Sequence, residues 1–143
     1  MKRIMVATDG SSNGEHALET AIDLAKQFDS VLLIVNVEQG YLSQSLEALP
    51  AVENANVDDV LLDVSRKILT RAEAKARGAG IIAVRTHSGL GDIAAVILDL
   101  VDQEKPDVIV VGKRGWGRLS GLLIGSVSQK LVSLAPCKVL VVP

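Results

Sequence analysis

Short apolar runs and longer amphipathic stretches alternate along this chain from end to end. Ile4–Thr8, Val31–Val37, Ile81–Thr86, Val108–Val111 and Lys138–Val142 are dominated by Val, Ile and Leu, and each reads as a strand. Between them the apolar positions fall three and four apart, which predicts helices. Ala17, Leu18, Ala21, Leu24, Ala25 and Phe28 mark the first. Val60, Leu61, Val64, Ile68, Ala72 and Ala76 mark the second, and Ile93, Val96, Ile97, Leu100 and Val101 the third. The fourth runs from Val127 to Leu134 and stops before Pro136. Strands that are apolar at successive positions suit a parallel sheet covered on both faces. The order βαβαβαβαβ therefore predicts an α/β fold, a doubly wound five-stranded parallel sheet with helices on both faces. No linker or repeat divides the chain, so residues 1–143 are expected to form one domain. One segment does not fit a routine connection: Glu38 to Asn56, containing Pro50, is expected to be a lid, a flexible loop or a partly helical insertion.

Helix starts are signalled twice. Ser12 with Glu15 three residues on, and Ser126 with Gln129, both read as capping boxes. Each follows a strand, so each places a helix N-terminus at a carboxyl strand end. In open parallel sheets, ligands bind there, where the strand order reverses. If the first and fourth strands are neighbours, Asp9 and Gly112 face one crevice.

The stretch after the fourth strand holds Gly112, Gly115, Gly117, Gly121 and Gly125 and leads into a helix at Ser126. Glycines let backbone N–H groups approach a ligand. Unpaired N–H groups and the dipole at a helix N-terminus both favour an anion. The composition adds exclusions. A net charge of −2 gives no reason to expect nucleic acid or an anionic membrane as partner. One Phe, one Trp and one Tyr would furnish a poor stacking surface. No apolar run reaches the roughly 20 residues of a spanning helix, and the apolar stretch after Met1-Lys-Arg is too short for a signal peptide. The single Cys137 can form no internal disulfide and opens an apolar strand, where it reads as a small buried hydrophobe. A cytoplasmic location is the expectation.

The glycine stretch does not match the P-loop pattern, since no lysine separates Gly125 from Ser126, and Gly115-x-Gly117 meets Gly121 one residue late for the dinucleotide fingerprint. It reads Gly112-x2-Gly115-x9-Gly125-Ser126. With Val6-Ala-Thr-Asp9-Gly-Ser after the first strand and Val-Leu-Val-Val-Pro143 at the end, the whole chain resembles the universal stress protein family, in its ATP-binding branch, whose pattern is G-x2-G-x9-G-[ST]. The resemblance implies the strand order 3-2-1-4-5, ATP with Mg²⁺, and a homodimer through the C-terminal strand. It implies that Asp9 lies near ribose, adenine or the metal, and that Ala7 and Thr8 line the same wall. Many relatives have proline where Ala7 stands. A backbone group at the end of strand two, aligned to Val35 with Asn36 and Val37 as register neighbours, would meet adenine. Val111 and Gly112 would border ribose. Gly115, Gly125, Ser126 and Val127 would hold phosphates. Lys113, Arg114 and Arg118 are cations placed near that polyanion, and Trp116 stands at the loop's tip.

Plainer roles stay open. Asp9 also suits a turn, Ser126 an N-cap, and the arginines a solvated loop. His16 is expected on the polar face of helix one and His87 at the end of strand three, remote from the glycines. No spacing assembles a catalytic triad or a zinc site. The function implied is an ATP-binding stress-response or regulatory module with an unknown protein partner, at most a slow ATPase. An interaction module reading AMP or another nucleotide, or a slow nucleotide-hydrolysing enzyme, are the alternatives.

Overall fold

The computed structural model describes residues 1–40, 51–115 and 124–143, with side chains 51–56 excepted. The elements are β1 (Arg3–Ala7), α1 (Ser12–Phe28), β2 (Val31–Glu38), α2 (Ala51–Gly78), β3 (Val84–Leu90), α3 (Ile93–Glu104), β4 (Val108–Gly112), α4 (Ser126–Leu134) and β5 (Lys138–Val142). All five strands are parallel, in the order β3-β2-β1-β4-β5.

The continuously apolar strands explain the layering. Alternate side chains point to opposite faces, so one strand feeds two cores. Ile4, Val6, Leu32, Ile34, Val108 and Val110 pack beneath α1 and α2. Met5, Leu33, Val35, Val37, Ile109 and Val111 pack beneath α3 and α4. The chain travels outward from β1 to β3, then returns to place β4 beside β1, with Ala7 level with Val111. That reversal opens a crevice at the carboxyl ends of β1 and β4.

Several boundaries differ from the sequence reading. The third strand begins at Val84 rather than Ile81, because Ile81 is buried under α2 as part of the helix exit while Ile82 is almost wholly exposed. Its far end runs on to Leu90, since seven residues pair with β2. His87 therefore lies mid-strand, opposite Val35, and is exposed. The helix α2 starts at Ala51, so the far end of the Glu38 to Asn56 segment is helical, as its partly helical alternative has it; residues 41–50 of that segment lie outside the described residues. No described helix is long and apolar enough to cross a membrane.

Candidate functional site

The crevice is a cleft of about 380 Å³. Ala7, Thr8 and Asp9 from the exit of β1, Val35 from β2, Val111 and Gly112 from β4, Gly115 from the turn beyond it, and Ser126 and Val127 from α4 all line it. Of the residues the sequence placed at the site, Gly125, Lys113 and Asn36 are not on its wall. Trp116 and Arg118 lie outside the described residues.

Asp9 is held from several sides. Its Oδ1 accepts from the Ser11 N–H at 2.9 Å and from the Ser11 hydroxyl. The same hydroxyl accepts from Gly14 N–H at 3.2 Å, so Ser11, not Ser12, is the N-cap of α1. The cap falls one residue early because Ser11 has the extended backbone a cap needs, and Glu15 N–H already bonds to its carbonyl. Around this network two glycines leave room. A Cβ on Gly14 would lie 2.7 Å from Asp9 Oδ1 and 2.8 Å from the Thr8 hydroxyl oxygen, and one on Gly115 would collide with Asp9 Oδ2. The β1 exit is tied to β2: Thr8 N–H donates to Val35 O at 3.0 Å, and the buried Asn36 amide donates to Thr8 O at 2.8 Å.

Gly112 and Gly115 are required for space rather than for unusual backbone angles. Positive φ among glycines is confined to Gly10, Gly80 and Gly91 in the described residues. A Cβ at Gly112 would sit 2.8 Å from the carbonyl carbon and oxygen of Asn13, so its bareness lets the first turn of α1 lie on the end of β4. Asn13 completes that contact by accepting from Arg114 N–H at 3.2 Å. The Gly125 N–H donates to Lys113 O at 2.7 Å and closes the turn back onto β4. Gly125 is itself the N-cap of α4, with no side-chain cap; Ser126 is the first helical residue and does not cap. The sequence box at Ser126 fails because Gly125 already has the extended backbone of the cap position. The first-turn N–H groups of α4, at Ser126 and Val127, have no partner within the helix by geometry, and both residues line the cleft.

Four lining residues carried no sequence signal. Lys130, one turn into α4, joins Arg114 at the α4 end. Glu38 and Gln39 at the end of β2, and Asp92 before α3, stand at the other. Asp92 caps α3 by accepting from Ala95 N–H at 3.1 Å. Burial pushes the Glu38 carboxyl above its ordinary range, a hydrogen bond from Asn36 opposes this, and the Asp9 charge adds to the rise. The cleft is thus polar in the electrical sense, with cations and a helix N-terminus at one end and carboxylates at the other. Only the β-strand topology brings these together, from positions about a hundred residues apart.

Among the described residues no group of three or more His, Cys, Asp or Glu side chains is placed to hold a metal. Asp9 supplies a single carboxylate, with Oδ1 already accepting from Ser11. That donor set fits Mg²⁺ carried largely by phosphate oxygens, and does not fit a metal caged by protein alone. His16 is exposed on α1, with Nδ1 3.1 Å from Pro143 O. Burial raises the Cys137 thiol above its usual value.

Residues 1–143 match the Universal stress protein family. Universal stress protein YxiE of Bacillus subtilis is 34% identical over 145 residues, covering 98% of this chain and 97% of the relative. Universal stress protein UspA from Lactobacillus plantarum, 22% identical, superposes with a TM-score of 0.82 over 99% of this chain and 97% of its own, a shared fold. A solved universal stress protein in complex with cAMP is 25% identical, with a TM-score of 0.70, covering 99% of this chain and 96% of that one.

Proposed function

The chain belongs to the universal stress protein family, and from that premise we propose that its cleft binds ATP, with Mg²⁺ held between the phosphates and Asp9, in a cytoplasmic stress-response or regulatory module. One observation carries the reading: the open N-terminus of α4, Gly115 and Asp9 meet in one cleft at the β1–β4 switch point. Phosphates suit the α4 end, where the Ser126 and Val127 N–H groups, Arg114 and Lys130 all favour an anion. They do not suit the opposite end, where Glu38 and Asp92 stand. The nucleoside then extends along β2 over Val35 and Val37. Turnover is slow in this reading, because no described side chain is arranged as an activated base beside the phosphate end. The protein works as a homodimer through β5, an edge strand bonded only to β4 on its inner side, with Leu140 38% exposed.

A mononucleotide reader is the second reading, favoured by the similar protein solved with cAMP. Mass spectrometry of nucleotide released from the purified protein, followed by calorimetry with ATP, AMP and cAMP, separates the two. ATP binding strengthened by Mg²⁺ is the expected outcome. Binding of AMP as tight as that of ATP would favour the second reading, and no binding of any nucleotide would end both. Sedimentation at micromolar concentration should show a dimer that Val141→Lys dissociates.

A further inference from the structure

Glu38 is the last residue of β2, and its backbone is pinned on the β3 side: it pairs with Leu90, and its carbonyl accepts from Gly91 N–H at 3.1 Å. The side chain stands at the end of the cleft opposite α4. Between Glu38 and the β1 exit lies an apolar slot. Val35 and Val37 form the sheet side, and Ile93 and Ile97, one turn apart on α3, form the other. A planar apolar ring suits such walls, since it makes dispersion contact on both faces without leaving a buried polar group unpaired.

The chemistry at the slot's end is one-sided. Glu38 is half-buried, and among the described residues no lysine or arginine forms an ion pair with it. Desolvation and the Asp9 charge already disfavour its ionised form. Asp92 adds a second carboxylate, committed to the α3 cap. The Gln39 amide can face a donor or an acceptor and does not discriminate. A ring that turned an oxygen acceptor toward Glu38 would set lone pairs against a carboxylate that no described lysine or arginine balances. A ring that turned an N–H₂ group toward it would add a second donor beside the Asn36 amide.

We propose that Glu38 is the specificity-determining residue of the cleft, accepting a hydrogen bond from the exocyclic amine of the bound base. This rests on the nucleotide reading above, with phosphates at α4 and the base in the slot.

The test compares ATP with purine riboside 5′-triphosphate, which is ATP without its exocyclic amine, by calorimetry on the full chain. Wild type should bind ATP about tenfold or more tightly than the amine-free nucleotide, as expected for one hydrogen bond to a charged acceptor. Glu38→Ala should reduce the ratio to below about threefold by weakening ATP alone, the amine-free nucleotide being unaffected. Glu38→Gln has nearly the same shape and keeps an uncharged acceptor, so it should fall between the two and controls for misfolding. An ATP preference that is absent in wild type, or that survives intact in Glu38→Ala, overturns the assignment while leaving nucleotide binding standing. Failure of wild type to bind either nucleotide removes the reading beneath it, and the assignment with it.

Discussion

Alanine at the three motif glycines should separate space needed by the fold from space needed by the site. At Gly112 the added Cβ would lie 2.8 Å from Asn13 backbone atoms, where ordinary contact begins at 3.4 Å. Backbone in the first turn of a 17-residue helix cannot swing aside as a side chain can, so α1 must shift off the end of β4. Overpacking of this kind costs about 1–3 kcal/mol. At Gly115 the collision is with Asp9 Oδ2, a side chain, but one whose other oxygen is tied to Ser11. Part of the clash is relieved by rotating the carboxylate, at the expense of those hydrogen bonds. Stability should fall by about 1 kcal/mol, while nucleotide affinity falls at least about tenfold because Asp9 is displaced. At Gly125 the Cβ would come no closer than 3.3 Å to Lys113 O, and the backbone is already extended, so Gly125→Ala should cost only about 0.5 kcal/mol as a poorer cap. Urea unfolding with unchanged m-values measures the series, and thermal midpoints should move by roughly 2–4 °C per kcal/mol at this chain length. Equal destabilisation by Gly112→Ala and Gly125→Ala would refute the spatial argument. So would Gly115→Ala with full nucleotide affinity.

Three further outcomes are expected. Ser11→Ala should cost about 1 kcal/mol by removing the α1 cap and should weaken nucleotide binding by loosening Asp9; Ser12→Ala should change neither beyond about 0.5 kcal/mol, and urea titration with calorimetry checks both. Glu38 has its folded pKa raised, so the folded state binds its proton more readily and stability is lost as pH rises through that pKa; Glu38→Gln should therefore be more stable than wild type at pH 7, with the gain disappearing toward pH 4, measured as thermal midpoints across pH. Lys105 ends α3 with φ of 49° in the left-handed region, so Lys105→Gly should stabilise by about 0.5–1 kcal/mol in urea.

The architecture was legible because it rests on local pattern. Runs of successive apolar residues in β1, β2 and β4 suit a sheet covered on both sides, and the helical spacing of Ala17 to Phe28 needs no knowledge of a partner. The spaced glycines and Asp9 were legible for the same reason, as a pattern within one stretch and one turn. Boundaries were less so: Ser12 has the same cap chemistry as Ser11, and only the path of the chain out of β1 selects between them. What each glycine does was not legible at all. Gly112 is bare for Asn13, Gly115 and Gly14 for Asp9, and Gly125 spends its N–H on Lys113. Glu38, Asp92 and Lys130 likewise belong to no motif, yet they give the cleft its acidic and basic ends. A sequence by itself determines which positions seek burial and which backbones can turn, because those are properties of neighbouring residues along the chain. The tertiary structure decides which groups face each other across the switch point, because collisions and charges act through distances that chain order does not contain.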